Sequence, residues 1–367
     1  MHHMKNTFTL IPLALLLSLR PTTLNADRPL FTSFDAPGAG TGPGQGTFPE
    51  VINSFGAVAG IETDENSVNH GFLRTPNGSI VTFDAPGASM NTGTGTVALG
   101  INAVGAITGF YIDDSFVGHG FLRAPHGAIT TFDAPGSVQG TFALSINASG
   151  VIAGEYQDSI GANHGFLRMP DDTFITFDVP GAGTGPGQGT APSGFDTINQ
   201  VGAIAGSYID SNGVNHGFLR NPNGTIVTFD APGAGTGAGQ GTLAAGITSA
   251  GAVSGPYTDS NGVSHGYLRA PSGTFVTFEV PGAGTSPGQG TFALNINPAG
   301  TITGPYVDEN AVLHGFLRSA AGAFSTFEVP GSQGTFADGI TAADEITGNY
   351  FDSNGVAHGY VLSPRKE

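Results

Sequence analysis

Short runs rich in Val, Ile, Thr, Phe and Tyr alternate along this chain with turns that contain Gly, Pro, Asn or Asp. In the second copy of the pattern the runs cover residues 96–102, 106–113, 119–123 and 128–134. Short runs of this kind, separated by such turns, are typical of β-strands. The pattern predicts units of four short strands, which we name strands a, b, c and d in chain order.

Strand c of each unit carries the motif His-Gly-Phe-Leu-Arg or a near copy of it. The seven copies begin at His70, His119, His164, His216, His265, His314 and His358. Their spacings of 49, 45, 52, 49, 49 and 44 residues match the length of one four-stranded blade of a β-propeller. The sequence therefore predicts an all-β, seven-bladed β-propeller built from four-stranded antiparallel blades.

The two chain ends are offset within the repeat. The first strand d, from Phe31 to Ala36, precedes any strand c, whereas the last strand c, residues 358–362, is followed by only five residues. An open solenoid would not need this offset, but a ring closed by the N-terminal strand requires it. We expect Phe31 to Ala36 to complete the C-terminal blade, so that residues 27–367 form one domain.

Residues 1–26 have the features of a secretory signal peptide. Lys5 supplies a positive start, Phe8 to Leu19 form an apolar run of 12, and Ala26 ends a candidate cleavage site. A run of that length is too short for a stable membrane span. These features predict a secreted protein.

The chain also lacks cysteine, so it has neither disulfides nor thiolate metal sites. Export without disulfides is compatible with the exterior of a bacterial cell.

The charge balance limits the choice of partners. The chain has 28 acidic and 11 basic side chains, for a net charge of −17 at pH 7. Loss of residues 1–26 removes Lys5 and Arg20 and no acid, which leaves a net charge of −19. Affinity for nucleic acid and for anionic membranes depends on Lys and Arg, so this balance disfavours both. We expect a monomer whose partners are cations, neutral glycans or an extracellular protein.

Two further patterns accompany the His motif. Strand a ends in Gly-Ile-Asn, as at residues 100–102, and strand b reads Gly-x-Ile-x-Gly-x-Tyr, as at residues 105–111. Over residues 31–362 the combination resembles the bacterial extracellular repeats named for a His-Ala-Phe core. The middle residue is Gly in all seven copies here, which departs from that name. The resemblance implies export and a repeat architecture, and it brings no catalytic residue and no ligand.

A hairpin between strands c and d places each motif His opposite an acid. The pairs are His70 with Asp84, His119 with Asp133, His164 with Asp178, His216 with Asp230, His265 with Glu279, His314 with Glu328, and His358 with Asp35. A carboxylate beside an imidazole is the geometry of a general base and its orienting acid. Seven equal copies do not suit catalysis, however, because an active site needs one asymmetric constellation. We interpret the pairs as buried, hydrogen-bonded structural clasps.

The turn between strands b and c supplies a second ring of acids. Its members are Asp64, Asp113, Asp158, Asp210, Asp259, Asp308 and Asp352. Ca²⁺ prefers such oxygen ligands, although turn chemistry alone accounts for Asp at these positions. Calcium is therefore a secondary hypothesis, and the sequence predicts no other cofactor.

Six strands c end in Arg, and the seventh has Leu362 at that position. The six are Arg74, Arg123, Arg168, Arg220, Arg269 and Arg318. One hypothesis is a ligand ring for carboxylates or acidic sugars. The simpler interpretation is that each Arg packs its stem across the blade and pairs with an acid or a backbone carbonyl.

A specific function would lie where the repeat is broken. The departures are the insertion at residues 191–196 and the residues His126, Glu155, Asp171, Asp172, Asp338, Asp344 and Glu345. None forms a recognisable catalytic dyad or triad. The sequence favours a secreted, non-enzymatic binding or scaffold propeller that binds glycan or protein through its Gly-rich loop face. Two alternatives are a polysaccharide lyase or hydrolase with its site at the central channel mouth, and a structural matrix or filament component.

Overall fold

The computed structural model describes residues 30–364, except 193 and 195. The predicted signal peptide lies outside the described residues. Within residues 30–364, no helix is long and apolar enough to cross a membrane. The described strands are β1 (Leu30–Phe34), β2 (Gly46–Ile52), β3 (Val58–Thr63), β4 (Asn69–Arg74), β5 (Ile80–Phe83), β6 (Gly95–Ile101), β7 (Ile107–Ile112), β8 (Gly118–Arg123), β9 (Ile129–Phe132), β10 (Gly140–Ile146), β11 (Ile152–Gln157), β12 (Asn163–Arg168), β13 (Phe174–Phe177), β14 (Gly189–Ala191), β15 (Ile204–Ile209), β16 (Asn215–Arg220), β17 (Ile226–Phe229), β18 (Gly241–Thr242), β19 (Gly246–Ile247), β20 (Val253–Thr258), β21 (Ser264–Arg269), β22 (Phe275–Phe278), β23 (Gly290–Thr291), β24 (Asn295–Ile296), β25 (Ile302–Val307), β26 (Leu313–Arg318), β27 (Phe324–Phe327), β28 (Gly334–Thr335), β29 (Gly339–Ile340), β30 (Ile346–Phe351) and β31 (Ala357–Ser363).

The second repeat shows how the sequence builds the sheet. Strands β6, β7, β8 and β9 are its strands a to d, and each pairs antiparallel with the next. The register sets Tyr111 opposite His119 and Gly120 opposite Phe132. The turn between β6 and β7 ends at Gly105, whose φ of 84° suits a tight hairpin. The alternation of apolar runs and turn residues thus produces a series of antiparallel hairpins.

The predicted division into seven separate four-stranded antiparallel blades is wrong. The 31 described strands belong to one sheet, since parallel pairings join strand c to the strand a that follows it at six places. In one of them Asn69 pairs with Gly95, where an added Cβ would lie 2.1 Å from the Asn69 carbonyl oxygen. In three repeats strand a is also split into two short strands, as β18 and β19 show. The fold is therefore all-β and propeller-like, and we count sequence repeats rather than blades.

The two ends of the described chain meet in this sheet. Strand β1 pairs antiparallel with β31, with Phe31 opposite Leu362 and Phe34 opposite Gly359. Beyond β1, Asp35 lies beside His358 across a sequence separation of 323 residues. The first described strand is therefore strand d for the last strand c.

Large aromatic side chains pack between successive repeats. The aromatic residue of each His motif is fully buried, at Phe72, Phe121, Phe166, Phe218, Tyr267, Phe316 and Tyr360. Phe83 of strand d meets Phe121 of the next repeat edge-on, with ring centroids 6.0 Å apart. The same Phe83 ring covers Gly71 of its own repeat, where an added Cβ would lie 2.7 Å from the ring. Each strand d Phe therefore joins two neighbouring repeats, the nearest-neighbour coupling expected of repeat proteins.

In five of the seven repeats, an Asn that follows strand a links its repeat to the next around the central channel. The side-chain amide of Asn53 donates a hydrogen bond to the Asn102 carbonyl at 3.0 Å, and the Asn102 amide donates to the Asn147 carbonyl at 3.2 Å. Asn147, Asn199 and Asn297 continue the series. Thr248 and Thr341 occupy the equivalent position in two repeats and have no amide to donate.

Candidate functional site

The structure brings together the two residues of each predicted His–acid pair. His Nδ1 lies 2.8–2.9 Å from a carboxylate oxygen in the five pairs with Asp. His314 Nδ1 lies 2.5 Å from Glu328 Oε1, and His265 pairs in the same way with Glu279. These distances are those of charge-assisted hydrogen bonds.

A second carboxylate faces the other ring nitrogen of each His. Asp308 Oδ2 lies 3.4 Å from His314 Nε2, and across the seven repeats this distance spans 3.4–3.9 Å. These second acids are the members of the predicted ring in the turns between strands b and c. Each imidazole therefore lies between an acid of the b–c turn and an acid at the end of strand d.

A Tyr of strand b stacks on the His in six of the seven repeats. Ring centroids lie 4.8–5.1 Å apart, as between Tyr306 and His314. Burial, and then the Glu328 carboxylate, raise the pKa of Tyr306, so the phenol keeps its proton. In the first repeat Glu62 takes the Tyr position opposite His70. The Tyr was visible in the Gly-x-Ile-x-Gly-x-Tyr pattern, but its stacking depends on the register between strands b and c. We call the Tyr, the His and its two acids the His cluster.

The His clusters lie at the surface, which differs from the buried location that we expected. The His side chains are 14–25% exposed and their strand d acids are 41–62% exposed. Beside the cluster of the sixth repeat lies a cavity of about 240 Å³, lined by Tyr306, His314, Thr326, Phe327 and Glu328. A carboxylate, an imidazole and an aromatic ring thus border a space that solvent reaches.

The Gly-rich loops are held against the same surface by a repeated glutamine. Gln45 Oε1 accepts a hydrogen bond from the Gly42 amide at 2.8 Å, while Gln45 Nε2 donates to the Glu65 carbonyl at 3.0 Å. The Gly44 amide donates to the carbonyl of Gly355 in the preceding b–c turn. Gln188, Gln240 and Gln289 make the same contacts in other repeats. Hydrogen bonds therefore fix these Gly-rich loops to the b–c turns, which carry the second acid of each His cluster.

The turn acids are already engaged by their own turns. Asp210 Oδ1 accepts hydrogen bonds from the amides of Asn212 and Val214, at 2.8 and 2.9 Å. The Val214 amide is the main cause that lowers the pKa of Asp210. Within the described residues, no group of three or more acids and His has the geometry to hold a metal ion. Calcium at this ring stays a prediction from sequence.

The six Arg side chains do not form an exposed ring. They are 6–9% exposed, and each guanidinium lies over the strand d Phe of the preceding repeat, 4.7–5.0 Å from the ring centroid. Arg74 contacts Phe34 in this way, and Arg168 also pairs with Asp172. Leu362 stands at the seventh position within the apolar cluster that includes Phe327. The Arg residues thus pack between repeats.

The central channel is lined mainly by repeated residues. Its cavity of about 170 Å³ has the strand a Ile of five repeats in its wall, at Ile52, Ile101, Ile146, Ile198 and Ile340. Asp196 is the only carboxylate among the described lining residues. Desolvation by the surrounding protein raises the pKa of Asp196 to about 6, although the residue as a whole is exposed. Within the described residues, the channel cavity therefore offers one acid and no imidazole.

Two further acids occupy the Asp196 position of strand a in other repeats. They are Glu50 and Asp338, where the remaining repeats have Leu or Ala. Burial raises the pKa of Glu50 to about 7, and burial with the nearby Glu50 raises that of Asp338. Sequence analysis missed Glu50. The signal that could have found it is that an acid stands there at a position where four other repeats have Leu or Ala. Neither acid lines the channel cavity.

Three of the remaining departures from the repeat accept hydrogen bonds. Asp171 accepts from the Thr173 amide at 3.1 Å, Asp344 from the Asn297 amide at 2.7 Å, and Glu345 from the Ser363 hydroxyl at 3.1 Å. Burial raises the pKa of Glu155 to about 7. The structure does not gather these residues into one site.

Comparisons with known proteins show the fold. No family model and no curated protein match the chain. A streptogramin B lyase matches 91% of this chain and 98% of its own, at 13% identity and a TM-score of 0.59. The BP39L lectin from Burkholderia pseudomallei matches 86% of this chain and 97% of its own, at 12% identity and a TM-score of 0.56. A lectin from Aleuria aurantia, described as a six-bladed β-propeller, matches 82% and 95% at 13% identity and a TM-score of 0.43. The likeness to the streptogramin B lyase and the BP39L lectin shows the fold alone, and it does not give the predicted count of seven blades.

Proposed function

We propose that the protein is a glycan-binding module secreted to the cell exterior, with sugar sites at the His clusters. The observation that carries the proposal is the half-exposed strand d carboxylate, which lies beside an imidazole in all seven clusters and beside a Tyr ring stacked on that imidazole in six of them. In the sixth repeat these groups border the 240 Å³ cavity at Glu328, His314 and Tyr306. A pocket with a few fixed polar groups and aromatic walls is the usual form of a small-ligand site.

The chemistry of the cluster suits sugar hydroxyls. A carboxylate such as Glu328 accepts hydrogen bonds from neighbouring hydroxyl groups, and it is 62% exposed. Its partner His314 keeps it in place, so little side-chain entropy is lost on binding. Because two acids surround each His, the surface repels anionic sugars. The proposed ligand is therefore a neutral glycan.

Repetition of the cluster around the ring supports multivalent binding. A single shallow site on this surface binds a monosaccharide weakly, but several sites on one rigid ring can hold a branched or surface-displayed glycan together. Linked sites of this kind exceed the affinity of one site by about 10²- to 10⁴-fold when the geometry allows. The lectin likeness agrees with this proposal, and it shows the fold alone.

The channel gives less support to a lyase or hydrolase. A catalytic site needs unlike residues that converge on one cleft. The described channel wall carries repeated Ile and Asn side chains and the single carboxylate Asp196. Asp338, which has a raised pKa, is only 3% exposed. Binding on the His-cluster face is therefore the better supported function.

A glycan array probed with the full chain tests the proposal. The test variant replaces the strand d acids Asp35, Asp84, Asp133, Asp178, Asp230, Glu279 and Glu328 by their amides. The control variant carries Glu65→Gln, Asp114→Asn and Glu309→Gln, which change exposed acids outside the clusters. We expect the wild type and the control to bind the same neutral glycans and the test variant to lose them. Absence of any glycan binding, or equal binding by all three proteins, would overturn the proposal.

A further inference from the structure

Five of the six buried Arg residues lack a carboxylate partner within the described residues. Arg168 is the exception, because Asp172 lies four residues further along and pairs with it. The other repeats have a Gly at that position, at Gly78, Gly127, Gly224, Gly273 and Gly322. The Nε atoms of these arginines are buried and have no acceptor among the described residues.

Arg220 lines a cavity. The cavity measures about 190 Å³ and lies between the third and fourth repeats. Arg220 is 6% exposed and lies over Phe177, and its one described hydrogen bond is a long contact of 3.5 Å to the Asn221 carbonyl. A guanidinium carries five N–H donors, and the Nε donor of Arg220 is buried without an acceptor among the described residues.

The walls of this cavity are mainly apolar. Val151, Leu167, Met169 and Ile175 come from the third repeat. Met169 and Ile175 are larger and more apolar than Ala124 and Thr130, their equivalents in the second repeat. A buried cation beside an apolar wall attracts an anion strongly, since little water screens the pair.

The cavity is separate from the His clusters. It is bordered by the turns between strands a and b, at Asn147 and Gln200, and by the turn after Arg220 at Pro222. Antiparallel pairing puts these turns at one end of the strands and the b–c turns with their His clusters at the other. A ligand here would bind on the opposite face from the proposed sugar sites.

We infer that this cavity binds a small carboxylate with a branched apolar body. The carboxylate would pair with the Arg220 guanidinium through two parallel hydrogen bonds, which is the geometry that Arg favours. The apolar body would cover Leu167, Met169 and Ile175. A neutral amide of the same shape would leave the guanidinium without a counter-charge and bind more weakly.

Calorimetric titration of the full chain with 4-methylpentanoate, and separately with 4-methylpentanamide, tests the inference. We expect the carboxylate to bind and the amide to bind about tenfold more weakly or not at all. Arg220→Leu should abolish carboxylate binding, and the fold should tolerate it because the last repeat has the buried Leu362 at this position. Gly224→Asp should weaken binding about tenfold, since the new acid would pair with Arg220 as Asp172 pairs with Arg168.

A matched control separates this site from the other arginines. Arg269 is 8% exposed and also lacks a carboxylate partner within the described residues, but it does not line this cavity. Arg269→Leu should therefore leave carboxylate binding unchanged. Equal loss in Arg269→Leu and Arg220→Leu, unchanged binding in Arg220→Leu, or no binding by the wild type would each overturn the inference. None of these outcomes depends on whether the His clusters bind glycans.

Discussion

Glu62 lies opposite His70 in paired strands, at the position where the six other repeats stack a Tyr on the His. Glu62 is 3% exposed, and its Oε2 atom has no hydrogen-bond partner among the described residues. Burial is the main cause that raises the pKa of Glu62 to about 7, against the opposing effect of His70. In the first repeat, a buried carboxyl group therefore replaces the Tyr that stacks on the His in the six other clusters.

This departure predicts a pH-dependent stability. A carboxyl whose pKa is raised on folding binds more protons in the folded state, so stability falls as pH rises from about 4.5 through about 7. We expect Glu62→Gln to increase the free energy of unfolding by about 1 to 3 kcal/mol at pH 8 and to change it little at pH 4. Urea unfolding at both pH values measures the effect. Glu65→Gln, at an exposed acid of the turn that follows β3, should show no such dependence, and an equal response of the two variants would contradict the assignment.

Because the strand d acids are exposed, we expect each His–acid pair to contribute less to the free energy of unfolding than a buried pair would. Asp230 is 56% exposed, so removal of His216 leaves a carboxylate that water can solvate. We expect His216→Ala to destabilise the protein by about 0.5 to 1.5 kcal/mol, through loss of the hydrogen bond and of the stack on Tyr208. Thermal unfolding measures the change. A loss above about 3 kcal/mol would mean that the pair is a buried clasp after all.

The Gly of the His motif makes room for a ring of its own repeat. An added Cβ on Gly217 would lie 2.3 Å from Phe229. We expect Gly217→Ala to destabilise the protein by about 1 to 3 kcal/mol, because Phe229 also packs on Tyr267 of the next repeat and has little freedom to move. Gly334→Ala is the matched control, since its nearest neighbour would be Leu313 at an ordinary 3.4 Å. Similar melting temperatures for the two variants would show that the ring can move aside.

Because the turn acids already accept hydrogen bonds, we expect calcium to leave the stability of the protein unchanged. Their Oδ1 atoms accept two amide hydrogen bonds within the turn, as at Asp352 with Asn354 and Val356. We expect the melting temperature to be the same in millimolar CaCl₂ and in EDTA. A calcium site filled at 1,000 times its dissociation constant would instead add about 4 kcal/mol to stability. A rise in melting temperature with calcium would restore the metal hypothesis that the sequence raised.

Contacts within one hairpin were easier to predict from the sequence than contacts between two repeats. The pairing of His216 with Asp230, and of Gly217 with Phe229, follows from one short hairpin, in which the turn sets the register. The position of Arg220 over Phe177 depends on how two repeats pack, which no local pattern specifies. The parallel link between Asn69 and Gly95 was missed for the same reason, because a single pairing leaves no periodic trace in the sequence.

Exposure was also beyond reach from sequence. Glu328 is 62% exposed, and the loop that follows strand d varies in length between repeats, so the repeat pattern does not specify the surroundings of this acid. The cavity beside Arg220 likewise depends on Met169 and Ile175 from a different repeat. Candidate residues were thus visible in the pattern, whereas the surfaces on which they lie required the three-dimensional arrangement.

The pairing of β1 with β31 has a consequence for how the protein is made. The first described strand leaves the ribosome long before its partner strand exists, and Asp35 and His358, which are 323 residues apart in the sequence, must then come together. Contacts of such range are formed late and slowly. Until the final strand arrives, β1 presents unpaired backbone groups that other chains can bind. A nascent or truncated chain that lacks β31 therefore leaves the edge of β1 unpaired. The two strands can pair only once the last strand has been synthesised.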